Sequence, residues 1–274
     1  MFHLVQAFYL SALTIFSVSI EFKLPFKLDE PTLKIELSEE LKEISGLSWY
    51  KNSLAGVQDE LGTVYLIEPG SGEILNRIRF SFPGDFEGVE TVGNQFYALT
   101  SSGIIFSFDI KNPAEVERIQ TPLSWKNDAE GLAYDDINNR LLILCKEQGS
   151  LTNSKSSSKS IFAYSLIFNK FEPKPLITLS LNDLQKFKEL KKYKPSALAI
   201  DPMTCDIYIL SSVGKAVVIL DPNFKIIKVK KLSGKLFNQP EGICFSPQGD
   251  LYISNEGSSK EKANFYLFKR KDND

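Results

Sequence analysis

The sequence predicts an all-β fold: a five-bladed β-propeller preceded by an N-terminal signal or anchor segment. Three observations predict it. A pattern of three short strands recurs five times after residue 40. The aligned small residues of that pattern, Gly46, Gly88, Gly131, Ala197 and Gly242, are 42, 43, 66 and 45 residues apart. Periods of about 40–50 residues with several short strands each mark propeller blades. The length also fits, because 274 residues that are 43% hydrophobic and 24% charged can bury the core of one large β domain.

The chain opens with an apolar stretch. Residues 1–20 contain no Lys, Arg, Asp or Glu. This reads either as a signal peptide, with Ser17-Val18-Ser19 supplying small residues for cleavage, or as a membrane anchor just long enough to span a bilayer. The expected organisation is therefore a signal peptide or anchor over 1–20 and a propeller over 30–271. The expected location is outside the cytoplasm: periplasmic or secreted, or held at the plasma (inner) membrane.

Each repeat has a strand that opens with a small residue, a turn, a second apolar strand, and a third strand of alternating aromatics and aliphatics. The copies lie at 44–49, 52–57 and 63–67; at 86–90, 95–99 and 104–108; at 129–134, 140–145 and 161–164; at 195–200, 206–210 and 216–220; and at 240–245, 250–254 and 265–268. The runs between the first two strands, such as Asp201-Pro202-Met203-Thr204 and Ser246-Pro247-Gln248-Gly249, carry turn chemistry. The long third gap holds a Ser-rich loop at 150–160 and a short helix expected over 182–193 with Asn182 as its cap. The alternating run 32–37 is expected to supply the outer strand of the last blade, because an open ring would leave exposed edges.

Composition narrows the chemistry. The only histidine is His3, inside the apolar leader. A Ser-His-Asp triad, a Cys-His pair and the usual His-ligated zinc are thereby excluded from the mature chain. Cys145, Cys205 and Cys244 are odd in number and widely spaced, unlike a disulfide framework. A formal net charge of −2 and a pI near 5.7 show no basic bias, so nucleic acid is not an expected partner.

The inner strand of a blade runs along the channel and the next strand returns antiparallel to it. The start of the first and the end of the second therefore share one mouth. Reading those positions places Asp59, Glu87, Glu130, Glu147, Glu241 and Glu256 around one opening, interleaved with hydroxyls. Like charges so close cannot all stay ionised. Either some carboxylates protonate, or they cap backbone amides, or a cation binds. Oxygen-only ligands favour a hard ion, Ca2+ before Mg2+. The six carboxylates are the expected metal ligands. Glu90 is a weaker candidate, since it alternates onto the other strand face.

The runs Asp85-Phe86-Glu87-Gly88-Val89-Glu90, Glu130-Gly131-Leu132-Ala133-Tyr134 with Lys146-Glu147, and Glu241-Gly242 with Asn255-Glu256 resemble the SdiA-regulated (YjiK/CarP) family. So do Ile44-Ser45-Gly46-Leu47 and Pro195-Ser196-Ala197-Leu198-Ala199. The resemblance implies an NHL-like β-propeller, exported or attached to the inner membrane, with a calcium site. Two positions depart from the family pattern: Thr100-Ser101-Ser102 stands where an acidic pair is common, and Ala197 replaces the usual Gly. The expected function is an exported calcium-binding propeller that acts as a binding or sensor module at the cell envelope. Its partners would be the calcium ion and an envelope protein or small ligand at the channel mouth. The other reading is a metal-dependent hydrolase, lactonase- or phytase-like, using the channel carboxylates. Five repeats rather than six, and few Asn at inner positions, weigh against it. No catalytic residue is assigned.

Overall fold

The computed structural model describes residues 22–152 and 157–271. Residues 1–20, expected to be the signal or anchor segment, lie outside the described residues. A first strand, β1 (Leu33–Glu36), precedes four complete four-stranded blades. Blade one is β2 (Ile44–Tyr50), β3 (Ser53–Gln58), β4 (Thr63–Ile67) and β5 (Ile74–Arg79). Blade two is β6 (Phe86–Val92), β7 (Gln95–Thr100), β8 (Ile104–Asp109) and β9 (Val116–Gln120). Blade three is β10 (Ala129–Asp135), β11 (Arg140–Cys145), β12 (Lys159–Ser165) and β13 (Lys170–Leu179). After α1 (Leu181–Gln185), blade four is β14 (Lys194–Ile200), β15 (Ile207–Val213), β16 (Ala216–Leu220) and β17 (Ile226–Lys231).

Blade five needs both ends of the chain. β18 (Pro240–Phe245), β19 (Leu251–Asn255) and β20 (Asn264–Phe268) pair in order, and β1 adds antiparallel to β20 with Leu33 opposite Leu267 and Glu36 opposite Asn264. The run 32–37 thus closes the ring, as its alternation predicts. Beside the seam, Arg270 pairs with the buried Asp201 of blade four and lies 5.3 Å from the Phe26 ring.

The core is split into five wedges, one between each pair of consecutive blades. Strands inside a blade, such as β16, are buried along their whole length, whereas outer strands such as β5 and β9 are mostly exposed. The wedge between blades one and two is aromatic: Phe80 stacks on Phe108 with centroids 4.9 Å apart. Inner strands of neighbouring blades touch, and this is why the repeat has a small residue there. A Cβ on Gly46 would stand 2.9 Å from the Gly88 Cα, and one on Gly131 would stand 2.6 Å from Leu198 Cδ2 and 3.0 Å from its backbone nitrogen.

Two expectations change. The helix starts one residue earlier than expected and is shorter. Ser180, not Asn182, caps it: Ser180 Oγ accepts from Asp183 N at 3.2 Å and Asp183 Oδ2 accepts from Ser180 N at 3.3 Å. That reciprocal cap fixes the start. Gln185 Nε2 then donates to the Leu190 carbonyl at 2.6 Å, so 186–193 is no longer helical while Leu190 and Tyr193 still fill the wedge between blades three and four. The Ser-rich loop also ends sooner, because β12 begins at Lys159.

Candidate functional site

The inner strand of every blade carries a β-bulge at the same place. The pairing skips Ser45 in β2, Glu87 in β6, Glu130 in β10, Ser196 in β14 and Glu241 in β18. A bulged residue has no partner opposite it and its side chain leaves the regular alternation. The two serines reach the next blade: Ser45 Oγ donates to the Phe86 carbonyl at 2.6 Å, and Ser196 Oγ donates to the Pro240 carbonyl at 2.8 Å. The three glutamates instead bring carboxylates to the mouth.

A second register surrounds this ring. In four blades the residue that follows the second strand donates its backbone N–H to the carbonyl two positions ahead of the bulge. These bonds run from Asp59 to Glu43 at 3.2 Å, Ser101 to Asp85 at 3.1 Å, Lys146 to Asp128 at 2.7 Å and Glu256 to Gln239 at 2.9 Å. Asp59 and Glu256 thus occupy equivalent slots, and in blade three that slot holds Lys146. Glu147 lies one residue further, with its N–H on the Asn127 carbonyl at 3.1 Å. Its carboxylate pairs with Lys194 and with Lys159, the latter at 3.4 Å. Burial opposes its ionisation, but those two lysines hold Glu147 below the usual carboxylate value.

Lys146 is the counter-charge of the mouth. Its Nζ donates to Glu130 Oε1 at 2.6 Å, and Glu130 is only 2% exposed. Burial works against the Lys146 charge, yet Glu130, Asp128 and Glu241 outweigh it and hold the ammonium above the ordinary lysine value. Burial pushes Glu130 up, and Lys146 draws it back. Glu87 is pushed far up by burial and by the charges of Glu130 and Asp85, and a hydrogen bond that its protonated form donates to Asp85 pushes it further. Glu87 therefore keeps a proton at neutral pH, and Asp85 beside it accepts from Ser101 Oγ.

On the side of the mouth formed by blades one and five, Lys146 acts on Glu241 and Glu256 only from a distance, and among the described residues no ion pair reaches their carboxylates or that of Asp59. Burial raises Asp59 to about 6, helped by Glu43, Glu60 and Asp85, and its buried Oδ1 has no hydrogen-bond partner. Burial raises Glu256 to about 8, helped by Glu241, Asp59 and Glu43, and Glu256 accepts from Gln239 Nε2. Burial raises Glu241 to about 6, against Lys146 and hydrogen bonds with Ser196, Ser212 and Gln239. Among the described residues no three Asp, Glu, Cys or His side chains converge closely enough to form a ready ligand group.

Sequence reasoning missed the position two ahead of each bulge, occupied by Glu43, Asp85, Asp128, Lys194 and Gln239. All five are polar. They recur at one offset from the bulge, so the signal was present in the repeat itself. The rim of the mouth is apolar in places: Phe82, on the loop into β6, is 81% exposed and Trp125, on the loop into β10, is 76% exposed.

Five closed blades with a bulge-borne carboxylate cluster at one channel mouth define a β-propeller with a polar axial site. The SdiA-regulated family profile matches residues 27–269, and the chain belongs to that family. A search of curated proteins finds no match. Solved propellers share the fold. A Myxococcus xanthus glutaminyl cyclase is similar at 14% identity, with 89% of this chain and 97% of that one covered and a TM-score of 0.61. A PQQ-bound aldose sugar dehydrogenase from Streptomyces coelicolor is similar at 12% identity, with 88% and 97% covered and a TM-score of 0.54. A chain of a nidogen/laminin complex is similar at 12% identity, with 86% and 89% covered and a TM-score of 0.55.

Proposed function

We propose that this SdiA-regulated propeller is an exported binding module whose channel mouth takes a calcium ion on the side of Asp59, Glu241 and Glu256. The observation that carries the reading is the buried, unpartnered Asp59 Oδ1, set among Glu43, Glu60 and Asp85. Among the described residues no ion pair reaches Asp59, Glu241 or Glu256, in contrast to Glu130 and Glu147. A divalent cation would offset the burial that raises all three, and the carboxylate repulsion that adds to it at Asp59 and Glu256. Carboxylate and hydroxyl oxygens are the donors that calcium prefers. The Glu87–Glu130 side already has the Lys146–Glu130 ion pair and a proton on Glu87, so the ion belongs on the opposite side. The exposed Phe82 and Trp125 at the rim support a face that meets an envelope protein or small ligand. The uncharged stretch 1–20 supports export or tethering at the inner membrane. Among the described residues no helix is long and apolar enough to cross a membrane.

The test is calorimetric titration of calcium into the chain, with Asp59→Asn and Glu256→Gln alongside. Saturable binding that both substitutions weaken at least tenfold is the expected result. Absence of binding, or binding untouched by either substitution, overturns the reading.

A further inference from the structure

The far ends of the same inner strands line a second, open site, separate from the carboxylate mouth. A cavity of 310 Å³ is lined by residues from all five inner strands. Leu47, Leu198 and Ile243 give it apolar surface, Trp49 and Tyr134 give it aromatic walls, and Glu90 is the one carboxylate in its lining. The Trp49 ring is fixed against Tyr252, with centroids 5.5 Å apart, and Tyr134 is fixed by its hydroxyl on Asn139 Oδ1 at 3.0 Å.

Glu90 is rigidly placed. Its Oε1 accepts from the Thr91 N–H at 2.7 Å and from Ser48 Oγ, and its Oε2 accepts from the Tyr134 N–H at 3.0 Å. Three blades hold it. Oε2 has a single donor and so keeps an acceptor position open. Among the described residues no lysine or arginine pairs with Glu90, and burial pushes its pKa up against those three hydrogen bonds. A carboxylate fixed by neutral donors in an apolar, aromatic-walled cavity lacks only a counter-charge. The volume suits a small organic molecule. A metal ion is a poor occupant, since the lining offers one carboxylate where a hard cation wants six or more oxygens. An organic ammonium ion satisfies every wall: charge on Glu90, and ring faces for cation–π contact.

We infer that this cavity binds a small organic ammonium ion, its charge against Glu90 and its apolar body between Trp49 and Tyr134. The chain has two tryptophans. Trp125 is 76% exposed at the other mouth, so Trp125→Phe leaves Trp49 as the sole reporter, inside the cavity. The Trp125→Phe chain is titrated with choline and n-butylammonium, and with their uncharged counterparts 3,3-dimethylbutan-1-ol and n-butanol, while Trp49 emission is followed. The expected result is a saturable change with at least one ammonium ion, tenfold or more stronger than with its neutral counterpart, and reduced to the neutral level by Glu90→Gln. Silence from both ammonium ions, or equal responses from charged and neutral partners, overturns the inference. Should Glu90→Gln fail to fold, the charged-against-neutral comparison decides alone. Calcium binding at the mouth is measured separately, so failure of one site leaves the other standing.

Discussion

Replacing Glu241 by glutamine should make the protein more stable, and only above a defined pH. Glu241 is 8% exposed, and burial lifts its carboxyl from 4.5 to about 6. A rise from 4.5 to about 6 is worth about 2 kcal/mol, at about 1.4 kcal/mol for each step of one in pKa. Below about pH 4.5 the group is protonated in the folded and unfolded chains alike, and the wild type carries no penalty. As the pH rises through about 6, the unfolded carboxyl ionises freely and the folded one resists, so the wild type loses the full amount and keeps that deficit at higher pH. Glutamine keeps the shape and never ionises. The stability difference between Glu241→Gln and wild type should therefore climb by about 2 kcal/mol between pH 4.5 and 7.5, then level off. For a chain of this size that corresponds to about 4–8 °C in Tm at pH 7.5. Urea unfolding of both chains across this range, with a chelator present so that no divalent cation masks the charge, measures it. A difference that does not vary with pH, or a variant less stable than wild type at pH 7.5, would refute the account of Glu241 as a charge made costly by burial.

Two further predictions concern ion pairs. Lys146→Met strips the counter-charge from Glu130, which is 2% exposed, and should cost about 3–5 kcal/mol; adding Glu130→Gln should recover most of it, and a loss below about 1 kcal/mol in urea unfolding would count against Lys146 as the centre of the site. Arg270→Ala leaves Asp201, 1% exposed, without its partner beside the blade-four and blade-five seam; a loss of about 3–5 kcal/mol is expected in the same assay, together with faster proteolysis at the chain ends, and an unchanged midpoint would show that β1 alone holds the ring shut.

The fold was legible because each blade repeats the same local instructions. The small residue after each bulge is demanded by contact with the next inner strand, and five such residues at blade spacing announce five blades. The closing strand was legible because the fifth copy lacked an outer strand and the run 32–37 alternated. The site was legible only in part. Glu87, Glu130 and Glu241 follow from the repeat, since they stand immediately before its small residue. Glu147 looked equivalent to Glu256 because both are acidic and follow the second strand. Which of Lys146 and Glu147 fills the slot depends on a one-residue register that backbone pairing settles and a residue pattern does not. The protonation of Glu87 was out of reach as well, because it arises from burial and from two carboxylates that tertiary structure brings together.

The two ends of the inner strands handle buried charge in opposite ways, and that contrast separates the two proposed ligands. At the mouth, side chains crowd one another: one ammonium lies within electrostatic reach of Glu87, Asp128, Glu130, Glu241 and Glu256, and Asp59 still has an oxygen with no partner. Such a place gains most from a small ion that gathers several oxygens at once, and gains little from a bulky cation that meets only one. At the other end, Glu90 is alone and already held by two backbone N–H groups and a hydroxyl, with one acceptor position left on Oε2 and no counter-charge. A calcium ion there would find too few oxygens to replace its water. An ammonium with an apolar body would give up little hydration and would meet aromatic walls. If the two readings hold, calcium and organic ammonium ions should not compete, because each fails on the chemistry of the other's site.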